Sequence, residues 1–159
     1  MRLRARIAVD SGRSTRFVPN DLGRDTARAM SQENVDLLEG AYAAVNEGDM
    51  DAWLAMLHPE VEFRSLIAEA EGQAYEGHAG AREWWATVAQ AIGVVRFESE
   101  GSESFRDRGL TCLRAVGSVD GVEVPQVIWL AWRVRDGLIS WFAGFRTEAE
   151  ALEAVGLSE

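Results

Sequence analysis

Apolar positions change period once along this chain, from helical spacing in the first half to strict alternation in the second. Val35, Leu38, Tyr42 and Val45 recur at three- and four-residue steps behind Ser31 and stop at Gly48, predicting a helix with a serine N-cap and a glycine terminator. Asp49 opens a second, shorter helix carrying Trp53, Leu54, Met56 and Leu57. His58-Pro59 ends it, because the residue before proline resists helical dihedrals. Val61, Phe63 and Ser65 alternate with Glu62 and Arg64 as a short strand with one face inward. An acidic, glycine-containing loop from about Ala68 to Gly77 then leads to a third helix, marked by Ala81, Trp84, Trp85, Val88 and Ile92 and stopped by Gly93.

From Gly93 onward the period is two. Strands are predicted over Val94–Phe105, Leu110–Val119, Val122–Arg135 and Leu138–Arg146. They are joined by Arg106-Asp107-Arg108-Gly109, Asp120-Gly121 and Asp136-Gly137, turn sequences that make consecutive antiparallel hairpins. Thr147 caps a last short helix with Ala151, Leu152 and Val155. The order is that of an α+β domain, helices first and a curved antiparallel sheet wrapped around them. Both faces of the last two strands are apolar: Ile128, Leu130 and Trp132 oppose Val127, Trp129 and Ala131, and Phe142 and Gly144 oppose Ile139, Trp141 and Phe145. Two-sided burial with helices on one side only predicts a homodimer through the convex sheet face, with Trp129, Trp141 and Phe145 at the contact.

Charge divides the chain at about residue 30. Residues 1–29 carry seven Arg and three Asp, a net of +4, and have no sustained period, which predicts a disordered Arg-rich tail. Met30, just before the capping Ser31, suggests that the natural start lies there. The remaining 130 residues carry nine Arg and 23 acids, a net of −14, so this domain repels phosphate backbones and nucleic-acid binding is not expected. No apolar run is long enough for a membrane span and no secretory signal is visible, which points to the cytoplasm. A single cysteine, Cys112, supplies no disulfide and no metal-ligand cluster, so neither a metal nor an organic cofactor is implied.

The order helix, Gly48-Asp49, helix, Pro59, strand, followed by Tyr75-Glu76-Gly77-His78-Ala79-Gly80 opening a helix with Trp84-Trp85, and by Val134-Arg135-Asp136-Gly137-Leu138-Ile139, resembles the nuclear transport factor 2-like superfamily. Within it the chain is most similar to the SnoaL-like branch, which is related to polyketide cyclases and ketosteroid isomerases. The resemblance spans residues 31–155 and implies a cone-shaped fold around a small-molecule pocket, a fold that hosts many activities. The aspartate base of the isomerases falls here on Ser65, which cannot take that role. Their protonated oxyanion-hole acid falls on Leu130 or a neighbour in Ile128–Trp132, a stretch without an acid, and their helix-one tyrosine falls near Ala41, beside Tyr42.

Strand parity places Tyr42, Ser65, Trp84, Gln126, Leu130, Trp132 and Phe142 in the pocket, with Arg146 near its mouth. The apolar members are packing residues first, so the polar ones carry the argument for a site. Gln126 either bonds backbone or faces a ligand, because a buried amide left without partners costs about 1–3 kcal/mol. Arg146 either clamps an anionic group or pairs with Glu148 or Glu150. His58 and His78 read as structural, one at a helix end and the other at a helix entry, and Cys112 sits on the outer parity with Arg114. Glu69 and Glu71, in the loop expected over the pocket, are the carboxylates that an acid–base mechanism would call on, and otherwise read as solvated loop acids.

No set of side chains commits the sequence to a reaction, and catalysis stays open. The first reading is a binding domain for a small hydrophobic or aromatic ligand. The alternatives are an acid–base isomerase or cyclase acting on a polyketide- or steroid-like carbonyl compound, and a dimeric scaffold without ligand.

Overall fold

The computed structural model describes residues 22–66, 73–92 and 96–156. Residues 1–21 of the expected tail, and the loop acids Glu69 and Glu71, lie outside them. Helix α1 spans Leu22–Asn46, so it begins ahead of Ser31, the expected cap, which lies within the helix. Gly48 takes the left-handed backbone (φ 73°) that ends it. The Asp49 carboxylate accepts from the Ala52 amide and starts α2, Met50–Ala55.

Strand β1, Leu57–Arg64, follows at once, so His58 and Pro59 lie in a strand and not at the helix end expected for them. Proline brings no N–H to the ladder, and the pairing of β1 with β6 is irregular between Leu57 and Glu62, where it sits. A short β2, Ala74–Glu76, precedes α3, Gly77–Ile92, and falls inside the segment that the sequence pattern predicts as loop. The remaining strands are β3 (Arg96–Phe105), β4 (Arg108–Val119), β5 (Val122–Arg135) and β6 (Leu138–Phe145), and α4 spans Glu148–Ala154. Asp120-Gly121 and Asp136-Gly137 have positive φ at both positions, the backbone that two-residue hairpins demand.

The six strands form one sheet in the order β2-β1-β6-β5-β4-β3, antiparallel throughout except for the parallel β1–β6 pair. The parallel pair joins the early strands to the late hairpins and lets the sheet curl around the helices. Helix α1 is fastened to the edge strand β3 and to the turn that follows it by two asparagines. Asn46 accepts from the Phe97 amide at 2.7 Å and donates to its carbonyl at 2.8 Å, a side-chain imitation of strand pairing, while Asn34 donates to the Arg106 carbonyl at 2.9 Å.

Among the described residues two apolar clusters form, one on each face of the sheet. The larger lies inside the curl, between the sheet and α1–α3. The smaller lies outside it, where Ala151, Leu152 and Val155 pack on Leu110, Cys112 and Ala131, with Trp129, Trp141 and Phe145 partly buried beside them. This revises the reasoning from two-sided burial: the chain's own α4 covers part of the outer face. Two arginines hold it there, Arg108 donating to the Val155 carbonyl at 3.1 Å and Arg133 to the Ala154 carbonyl at 3.3 Å, so cations meet the C-terminal end of the helix.

Candidate functional site

The curl leaves an apolar cavity that opens to solvent at its mouth. Helix α1 lines it with Leu38, Ala41, Tyr42 and Val45, successive positions of its apolar stripe. Trp53 from α2 and Trp84 from α3 close one side. Phe63, Ser65 and Leu66 come from β1 and the residues after it, and Phe97, Leu113, Ile128, Leu130 and Phe142 come from the inward parity of the sheet. The aromatic rings form a connected layer. Phe63 stacks on Phe142 with ring centres 4.5 Å apart, and Trp53 meets Trp84 at 5.5 Å and Phe63 edge-on at 6.4 Å. Gly144 also faces this space: a Cβ built there would stand 3.0 Å from Ile128 Cγ2 and 3.4 Å from Leu66 Cγ.

Of the residues singled out from the sequence, Tyr42, Ser65, Trp84, Leu130 and Phe142 meet around this cavity. Three do not line it. Trp132 is fully buried as core, its Nε1 donating to Thr111 Oγ1 at 3.1 Å and its ring lying over Gly109, where any Cβ would fall within 2.3 Å of it. Gln126 follows the backbone alternative, donating from Nε2 to the Leu66 carbonyl at 3.1 Å and so tying β5 to the segment after β1. Arg146 is exposed, one residue beyond β6.

Both histidines are engaged with protein groups. His58 accepts from the Glu60 amide through Nδ1 at 3.0 Å, and its Nε2 lies 3.6 Å from Asp136. His78 Nε2 lies 3.0 Å from the Leu57 carbonyl, joining the start of α3 to β1. Cys112 is buried in the outer cluster.

The polar part of the wall is small. The Tyr42 hydroxyl and the Trp84 Nε1 are both buried; Trp84 Nε1 has no hydrogen-bond partner among the described residues, and the Tyr42 hydroxyl lies against the Thr111 side chain. Burial pushes the Tyr42 phenol well above its ordinary value; the Thr111 hydroxyl partly offsets this and the charge of Glu39 adds to it. Tyr42 is therefore a neutral hydroxyl, able to donate, at any physiological pH. Beyond it the Thr111 and Ser102 hydroxyls are hydrogen-bonded to each other at 2.8 Å. Ionisable acid–base groups are missing from the wall: among the described lining residues there is no Asp, Glu or His. The lining arginine, Arg64, is exposed and has the opposite strand parity to Phe63 and Ser65. Sequence reasoning did not single out Leu38, Trp53 or Phe97 as site residues, because apolar spacing does not separate a cavity wall from filled core; Ile139, which strict alternation puts on the outer face with Trp141, lines the cavity instead because the β5–β6 register shifts between Arg133 and Val134.

The sheet order and the helices inside its curl define an NTF2-like architecture, shared with several solved structures. A protein crystallised with polyporic acid, TerC, is 22% identical to this chain with a TM-score of 0.64, covering 78% of this chain and 98% of its own. RV0760c from Mycobacterium tuberculosis, solved in complex with estradiol-17β-hemisuccinate, is 18% identical with a TM-score of 0.61, covering 72% of this chain and 94% of its own. An NTF2-like protein of unknown function from Burkholderia pseudomallei is 19% identical with a TM-score of 0.64, covering 76% and 95% respectively. Within that architecture the family is defined by sequence: the SnoaL-like domain matches residues 38–142, and the chain belongs to that family. No curated protein matches the chain in sequence. Among the described residues no helix is long and apolar enough to cross a membrane.

Proposed function

We propose that this SnoaL-like domain binds a small apolar or aromatic molecule in its cone and holds it without general acid–base chemistry of its own. One observation carries the reading: an open, aromatic-walled cavity whose lining is almost wholly apolar. General acid–base catalysis needs a titrating group within hydrogen-bond reach of the reacting atom, and the described wall offers none that ionises near neutral pH. TerC and RV0760c support the reading by fold, since each was crystallised with a small organic molecule. Tyr42, Ser65, Trp84, Leu130 and Phe142 are the proposed contact residues.

A thermal-shift series with polycyclic aromatics and steroids tests this. A binding class raises the melting temperature saturably, as expected for a ligand that selects the folded state at about 2.7 kcal/mol when present at one hundred times its dissociation constant. Trp84→Ala, if folded, loses most of that response. A folded protein that responds to no class contradicts the reading.

The alternative is an isomerase or cyclase in which Tyr42 polarises the carbonyl of a polyketide- or steroid-like substrate. Its specific support is the neutral, buried phenol. Turnover of a carbonyl substrate, lost in Tyr42→Phe, distinguishes it from binding alone.

The working unit in this reading is residues 30–159, in the cytoplasm, as a homodimer. Half-buried Trp129, Trp141 and Phe145 flank α4 on the outer face, and Val127 beside them is 48% exposed. A second copy covering this remaining surface is the economical occupant. Residues 1–29 contribute no side chain to the cavity wall among the described lining residues and are dispensable for binding.

A further inference from the structure

Resting on that ligand-binding reading, we propose that the edge of Phe142 is a seat for the face of an electron-rich aromatic ring, so that the cone selects such an arene over an electron-poor one of the same shape. Three rings stand in a row across the inner face of the sheet, Tyr75 on β2, Phe63 on β1 and Phe142 on β6, at directly paired positions. Tyr75 and Phe63 stack at 5.1 Å and 18°, and Phe63 and Phe142 at 4.5 Å and 11°. These spacings are near that of adjacent strands, about 4.8 Å, so the rings are stacked along the pairing direction. Side chains leave a sheet roughly perpendicular to it, and rings stacked in this way turn their edges, not their faces, toward the cavity.

Phe63 shows how the fold completes such an edge. Both of its faces are taken, by Tyr75 and by Phe142, so Trp53 and Trp84 meet it at the edge, with planes inclined by 76° and 81°. Phe63 is left 2% exposed. Phe142 stands one strand further along the row, with one face on Phe63 and its other side turned to β5, where its paired residue Trp132 is fully buried. Among the described residues Phe63 is the one ring in contact with it, yet Phe142 lines the cavity and is only partly buried. The surface left to it is its inward edge. The position that two tryptophans fill at Phe63 is open at Phe142.

The electronic preference follows from the ring itself. An aromatic side chain is negative over its face and positive along its rim of hydrogens, so the edge of Phe142 attracts an electron-rich face. A ring drained by electron-withdrawing groups offers a weaker or inverted one. The aliphatic part of the wall, with Leu38, Ile128, Leu130 and Ile139, responds to size and hydrophobicity and does not separate the two.

The test uses the full chain and two probes of one ring system, 2-methylnaphthalene and 2-(trifluoromethyl)naphthalene, titrated by calorimetry. The trifluoromethyl probe is the more hydrophobic, so burial alone favours it and the edge contact favours the methyl probe. The methyl probe is expected to bind about threefold more tightly, within the range of one aromatic edge contact. In Phe142→Leu the preference reverses. A second readout needs no variant that folds: with ring-labelled phenylalanine, the edge protons of Phe142 move upfield as 2-methylnaphthalene saturates the wild type, because they come to lie over the face of its ring. Equal binding, tighter binding of the trifluoromethyl probe by the wild type, a preference unchanged in folded Phe142→Leu, or Phe142 edge protons that stay in place at saturation would overturn the seat while leaving the cavity reading intact. If neither probe binds, both fall together.

Discussion

Single residues in this fold show how closely its core and its cavity are divided. Trp132 and Leu130 share a strand face, yet one is sealed against Gly109 and the other borders open space. The seal depends on the missing side chain at Gly109. A Cβ there would fall 2.3 Å from Trp132 Cζ2 and 2.7 Å from the Glu103 carbonyl oxygen, and neither a buried indole nor a strand backbone can yield cheaply. Gly109→Ala is therefore expected to destabilise the protein by about 1–3 kcal/mol, measured by urea unfolding. An unchanged midpoint would show that Trp132 has room to move. Residue types were a partial guide here. Tyr42, Trp84 and Phe142 could be assigned to the inner wall because helix and strand periods fix which face a side chain takes. The fates of Trp132 and Gln126 were not legible, because Gly109 and Leu66 reach them only through the register of β4 on β5 and the path of the chain after β1.

At the scale of elements, the local signals were the reliable ones. The bounds Val122–Arg135 for β5 follow from two Asp-Gly turns whose backbone chemistry is set by the dipeptide itself. Thr147 likewise caps α4 as its side chain predicts, accepting from the Glu150 amide at 3.2 Å. Strand β2 and the parallel pairing of β1 with β6 were not visible, since three residues carry too little pattern and a parallel partner lies some eighty positions away. The role of α4 was also missed, and it changes the account of the outer face. Leu152 is 5% exposed against the sheet, so Leu152→Ala should cost about 2–5 kcal/mol and raise the binding of a hydrophobic dye as Trp129 and Trp141 are uncovered. A variant as stable as the wild type would mean that α4 is held by its arginine contacts and contributes little burial.

For the whole molecule, the curl of the sheet separates two apolar surfaces with different uses. The inner one is completed by the chain's own helices and still leaves a cavity, while the outer one is only partly covered by α4. Light scattering at micromolar concentration is expected to give twice the chain mass; a monomer would leave Val127, Trp129 and Phe145 without the proposed occupant. The central claim concerns the inner surface, and the six tryptophans of the sequence report on both faces at once. The direct measurement is a ¹H–¹⁵N spectrum of the indole N–H groups, assigned by single substitution and titrated with 2-acetylnaphthalene. Binding in the cone moves the Trp84 and Trp53 signals and leaves Trp129 and Trp141 in place. Shifts confined to Trp129 and Trp141, or no saturable shift at any indole, would contradict the assignment of the cone as the ligand site.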